Sequence, residues 1–167
     1  MRNGMRAVGL AAVIVAALAP AAVGQQVPFG ASHDASQPVE ITSDRLDLDQ
    51  AAGTAVFAGG VKVGQGALRL AADRVEVSYD EGGGAAAGTV RRMVATGNVT
   101  LSNGEEAAEA ERATYDVATG RVEMEGNVLL TQGGNALSSQ RLRIDLNAGT
   151  GQLEGRVQTI FVPGSRP

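Results

Sequence analysis

Four segments of this chain open with a polar residue and an arginine and continue with alternating apolar positions: DRLDLD at Asp44, DRVEVSY at Asp73, ERATYDV at Glu111 and QRLRIDL at Gln140. Four others share a Gly-x-Val centre: FAGGVKV from Phe57, ATGNVTL from Ala95, MEGNVLL from Met124 and LEGRVQT from Leu153. The two sets alternate. Arg45, Arg74, Arg112 and Arg141 are separated by 29, 38 and 29 residues, and Val61, Val99, Val128 and Val157 by 38, 29 and 29. Both series describe a 29-residue unit with one insertion of nine, which falls on the stretch DEGGGAAAG at 80–88. A repeat of this length buries its apolar face only against its neighbours, so the chain has to fold as a stack of units.

Inside the units the apolar residues recur at every second position, the pattern of antiparallel strands with one buried face. Leu46 and Leu48, Leu68 and Leu70, Val75 and Val77, Ala113 and Tyr115, and Leu142 and Ile144 each share a parity. The pair Gly126-Asn127 looks like a two-residue hairpin turn. A hairpin there would set Glu125 beside Val128 and Glu123 beside Leu130, putting charged and apolar side chains on one face. One continuous strand instead keeps Val122, Met124, Val128 and Leu130 together, and the same register holds for Phe57, Val61 and Val63, for Met93, Val99 and Leu101, and for Leu153, Val157 and Thr159. A glycine inside a strand marks a bend, a bulge or a close backbone approach. The expectation is a set of long strands that bend at this glycine, curling the stack into a roll and leaving space inside. With 44% hydrophobic but only 3% aromatic residues, the core has little bulky filler.

Outside the repeats, Arg2 and Arg6 precede thirteen small or apolar residues, Ala7 to Ala19, and a small-x-small pattern precedes Gln25. Thirteen residues are too few for a bilayer, which needs about 20. Residues 1–24 therefore read as an export signal, cleaved after Gly24 or Ala22, with an uncleaved anchor as the alternative. Residues 25–38 are polar and punctuated by proline, the composition of a flexible leader, and 163–167 form a short tail. Loss of Arg2 and Arg6 takes the formal charge from -4 to -6, with no basic face of the kind nucleic acid requires.

An enzyme has little to stand on. His33 is the only histidine and lies in the leader, and there is no cysteine, so neither a His-based triad nor a conventional zinc site can be assembled in the repeats. The carboxylates Glu105, Glu106, Glu109 and Glu111 read as solvating outward faces. The GGG stretch lacks the Lys-Ser/Thr of a phosphate-binding loop. No cofactor and no metal are expected.

PVEITSDRLDLDQ, DRVEVSY, ERATYDVATGRVEMEGNVLLTQGGN and SQRLRIDLNAGTGQLEGRVQTIF, behind an export signal, together resemble the LptA/OstA-like family of periplasmic lipopolysaccharide-transport proteins, over about Pro38 to Phe161. The resemblance implies an all-β fold, a twisted β-jellyroll of repeated antiparallel strands over 39–162, open along one side. Its apolar interior would hold lipid A acyl chains and bridge the inner-membrane transporter to the outer-membrane translocon. The residues placed inside on this reading are Leu46, Leu48, Phe57, Val61, Val63, Leu68, Leu70, Val75, Val77, Met93, Val99, Leu101, Tyr115, Met124, Val128, Leu130, Leu142 and Ile144. Partners implied are lipopolysaccharide, a transporter component at the N-terminal edge near Val39 to Asp49, the translocon at the C-terminal edge near Arg156 to Val162, and further copies stacked end to end. Within the family, the short apolar run argues against a membrane-anchored relative and the end at Pro167 argues against a translocon that continues into a barrel, so neither is expected. The other reading of the repeats is an exported structural or adhesive β protein with a packed core.

Overall fold

A computed structural model describes residues 25–29, 36–80 and 89–161. The proposed signal, His33, residues 81–88 of the insertion and the tail lie outside the described residues. Eleven antiparallel strands form one sheet: β1 (Gln25–Pro28), β2 (Val39–Thr42), β3 (Arg45–Asp49), β4 (Thr54–Gln65), β5 (Leu68–Tyr79), β6 (Val90–Ser102), β7 (Glu106–Asp116), β8 (Arg121–Gln132), β9 (Asn135–Asp145), β10 (Thr150–Glu154) and β11 (Gln158–Ile160). Strands β4 to β9 follow one another as neighbours. The sheet ends in β2 and β3 on β4 at one side, and in β10 and β11 on β9 at the other, with β1 lying outside β10. Each edge strand of the repeat is thus split into two short halves, and the sheet does not close on itself.

The six long strands have 11 to 13 residues each and carry their irregularity at mid-length. Gly59-Gly60, Gly97-Asn98 and Gly126-Asn127 each stand opposite a single residue of the adjoining strand, a bulge of two against one. These bulges line up across the sheet as a crease, and the two halves of the sheet share one apolar core. The continuous-strand reading of Gly126-Asn127 holds, and both residues have positive φ, 84° and 47°.

The space beside these glycines is not interior space, which corrects the expectation that their missing side chains enlarge the cavity. A Cβ on Gly126 would meet the Glu111 side chain at 2.7 Å, and one on Gly59 would meet Asp44 at 2.5 Å. Gly97 and Gly155 face Asp73 and Gln140 in the same way. All four opposing side chains lie on the exposed face. Asn127 Nδ2 donates to Glu111 Oε1 at 2.5 Å, and Asn98 Nδ2 to Asp73 Oδ2 at 2.9 Å. The polar residue before each repeat arginine therefore occupies the room that the glycine of the following Gly-x-Val strand vacates. This couples the two sequence motifs through one contact.

Two other expectations change. The leader is not uniformly flexible: Gln25–Pro28 pairs with β10 from Gln25↔Leu153 to Pro28↔Thr150, and Phe29 is fully buried. Proline and polarity predicted a loop, but an unpaired strand edge with an apolar gap beside it recruits whatever segment can reach it. Glu106, expected outside, is buried, where it accepts from Asn103 Nδ2 at 2.8 Å and Gln132 Nε2 at 2.5 Å. Glu105, Glu109 and Glu111 are exposed as expected. The turns are held by aspartates: Asp116 Oδ1 accepts from the N–H and the hydroxyl of Thr119, and Asp145 Oδ1 from the N–H groups of Asn147 and Ala148.

Candidate functional site

The inner rows of β4 to β8 leave an apolar cavity that spans the crease. Val63, Leu68 and Leu101 contribute from one half of the sheet, and Val75, Met93 and Tyr115 from the other. Leu70, Val39, Ala95, Ala113 and Val122 complete the apolar wall, and Gln65 is its one amide. Its free volume, measured to the centre of a water-sized sphere, is about 40 Å³. That is room for on the order of three waters. A lipid chain would fit only if the two halves part.

Of the residues placed inside from sequence, Val61, Val63, Leu68, Val75, Val77, Met93, Val99, Leu101, Tyr115, Met124, Val128, Leu130, Leu142 and Ile144 are buried in one core. Phe57 and Leu70 pack against it half-buried. Leu46 and Leu48 do not join the core and are 48% and 54% exposed. They share the inner face with Phe57 and Ala55, their cross-strand partners, but β3 has a neighbour on one side only. The interior therefore opens at this end. Ala95 and Ala113 sit on the inward rows read from the sequence, beside Met93 and Tyr115, whereas Gln65 shares the inward parity of Val61 and Val63 but is too polar to stand out in a hydrophobic pattern.

Among the described residues, Tyr115 carries the one buried side-chain nitrogen or oxygen without a hydrogen-bond partner. The residue is 8% exposed, and its hydroxyl is fully buried with no hydrogen-bond partner among the described residues. Burial pushes its pKa up, and the neighbouring Asp116 carboxylate adds to the rise. On the outer face, three of the four repeat arginines pair with nearby carboxylates: Arg45 with Asp47 at 2.7 Å, Arg74 with Glu76 at 3.4 Å, and Arg141 with Glu125 at 2.5 Å. Arg143 bridges Glu123 at 3.1 Å and Glu154 at 2.5 Å. Among the described residues no three His, Cys, Asp or Glu side chains gather in a metal-binding group.

An open jellyroll with an apolar interior, a polar shell and unpaired strand edges defines a class of β-repeat proteins built around an internal apolar space. The chain belongs to the LptA/(LptD N-terminal domain) LPS transport protein family, whose model matches residues 40–150. It is 34% identical over 106 residues to an uncharacterized protein of Rhizobium meliloti, covering 62% of this chain and 56% of that one. It is 33% identical over 63 residues to the lipopolysaccharide export system protein LptH of Pseudomonas aeruginosa, covering 38% of this chain and 36% of that one. The chain thus spans little more than half the length of the first of these curated relatives and about a third of the second. In fold it resembles the crystal structure of LptH, the LptA-homologous periplasmic component of the lipopolysaccharide transport device of Pseudomonas aeruginosa. That likeness has a TM-score of 0.68 at 19% identity, over 78% of this chain and 99% of the other.

Proposed function

We propose that this protein is a non-enzymatic periplasmic carrier of lipopolysaccharide that shields lipid A acyl chains between the inner-membrane transporter and the outer-membrane translocon. The observation that carries the reading is the apolar inner face, which is packed through most of the roll, hollow between β4 and β8, and exposed at Leu46 and Leu48. Family membership supports it. Burying hydrocarbon stabilises by about 0.8 kcal/mol per CH₂, so a chain of about a dozen carbons supplies on the order of 10 kcal/mol before ordering costs. Gains of that size offset a separation of the two sheet halves, and they let an acidic protein bind an anionic lipid through its tails.

Partner contacts follow the edges. The transporter component, or a preceding copy, would add to β2 and β3, and the next copy or the translocon would add to β11. Exposed Ile160 and Phe161 at the β11 end, 67% and 72% exposed, give that contact an apolar component. The cavity's small free volume favours the other reading, a structural or adhesive β protein with a packed core. Titrating lipid A into the protein lacking residues 1–24 separates the two. The carrier reading expects saturable binding that persists at high salt; no binding would favour the packed-core protein.

A further inference from the structure

At the second inward position after the repeat arginine, three units carry an aliphatic side chain: Leu48, Val77 and Ile144. The third unit carries Tyr115. A phenylalanine would fill the same volume without burying a hydroxyl, and burying a hydroxyl unpaired is unfavourable. The ring lines the cavity, the hydroxyl is buried without a partner among the described residues, and the rest of the wall is hydrocarbon apart from Gln65. Gln65 is itself engaged, donating from Nε2 to the Gln37 carbonyl at 3.1 Å.

We propose that the Tyr115 hydroxyl is a selectivity point inside the cavity, which hydrogen-bonds an oxygen carried along an acyl chain and so favours oxygen-bearing chains over plain hydrocarbon. The inference rests on the reading that the cavity takes acyl chains, and it adds which chains are preferred. A hydroxyl or an ester oxygen on the chain would serve. A phenol donates to either, and in a hydrocarbon surround no water competes for the bond. A plain chain would leave the hydroxyl unpaired, so discrimination comes from the orphaned group as much as from the bond itself.

Calorimetric titration of the protein with dodecanoic acid, 3-hydroxydodecanoic acid and 3-acetoxydodecanoic acid tests this, alongside Tyr115→Phe. The expected result is binding of one or both oxygenated acids about threefold to tenfold tighter than dodecanoic acid in the unsubstituted protein. In Tyr115→Phe the preference should vanish while dodecanoic acid binds at least as well as before. Whichever oxygenated acid is preferred identifies the source, hydroxyl or ester. Equal affinities for all three acids in the unsubstituted protein would overturn the inference and leave the carrier reading standing, with the hydroxyl satisfied by a trapped water. A preference that survives Tyr115→Phe would overturn it as well. Failure of every acid to bind would overturn the inference, and the lipid A titration then decides whether the carrier reading falls with it. The substitution removes one oxygen atom, and the comparison within the unsubstituted protein does not depend on the variant folding.

Discussion

At the N-terminal end of the roll β2 and β3 leave both halves of a sheet edge unpaired, whereas at the C-terminal end β1 lies along β10 and Phe29 fills the core beside it. The two ends carry the same repeat. Leu46 and Leu48 follow Arg45 as Leu142 and Ile144 follow Arg141, yet the first pair is about half exposed and the second is buried. Alternation decides which face a residue is on; only a neighbour on each side and a layer opposite decide whether that face is covered. On the C-terminal side β9 lies between β8 and β10, and β1 in turn covers β10, whereas β3 has nothing described on its outer side. On the carrier reading a lipid would enter at the N-terminal end and the hollow middle, while at the C-terminal end β1 covers the β10 half of the edge and leaves the β11 half open.

Matched charges at the two ends should give the widest separation. Leu153→Asp on β10, between β9 and β1, buries an unpaired carboxylate and is expected to cost more than about 4 kcal/mol in urea unfolding, enough to leave the chain largely unfolded. Leu46→Asp at the open end should change stability by no more than about 0.5 kcal/mol while weakening lipid binding. Similar losses from both would mean that the ends do not differ. Phe29→Ala comes next, at about 3–5 kcal/mol if Phe29 is part of the core. A loss below about 1 kcal/mol would show that β1 is a loose appendage and that both ends are open.

The crease should be less sensitive. Gly126→Ala places a Cβ against Glu111 and forces a left-handed backbone, at an expected cost of about 1–3 kcal/mol. Adding Glu111→Ala should recover the contact part and leave the backbone part, a non-additivity that a double-mutant cycle reads directly. A smaller effect belongs to pH. Burial raises the folded pKa of Tyr115 above the ordinary tyrosine value of 10.0. The neutral form is favoured in the fold, so this contribution is full below that value and is lost as pH rises through the folded pKa. Tyr115→Phe should flatten that alkaline loss in a stability profile, and an unchanged profile would mean that the hydroxyl is solvated.

Much of this architecture is legible in the residues. The repeat, the alternating rows and the continuous strand through Gly126-Asn127 can be argued from register alone, because a hairpin there would mix Glu125 with Val128 on one face. What register cannot show is contact between strands. The space beside Gly126 looks empty in one strand and is filled by Glu111 from the strand before it, sixteen residues away by the Asn127–Glu111 bond. Glu106 looks like a solvating carboxylate until Asn103 and Gln132 close around it. The polar, proline-bearing sequence of β1 has no strand pattern, since the edge of β10 imposes its pairing. Val77 and Leu101 read from the sequence as lining positions, but both are buried in the packed core, where a charge would break the fold and not only weaken lipid binding. Tyr115 appeared in the sequence as one more apolar position, and only its unpaired hydroxyl sets it apart.

On the carrier reading, lipid occupies the inner face between β4 and β8. Photo-crosslinking in cells, with a photoreactive residue placed in turn at Leu70, Met93 and Tyr115 on the inner row and at Lys62 and Arg92 on the outer row, tests it most directly. The account predicts lipopolysaccharide adducts from the three inner positions and none from the two outer ones. Adducts from both rows alike, or from neither, would contradict it.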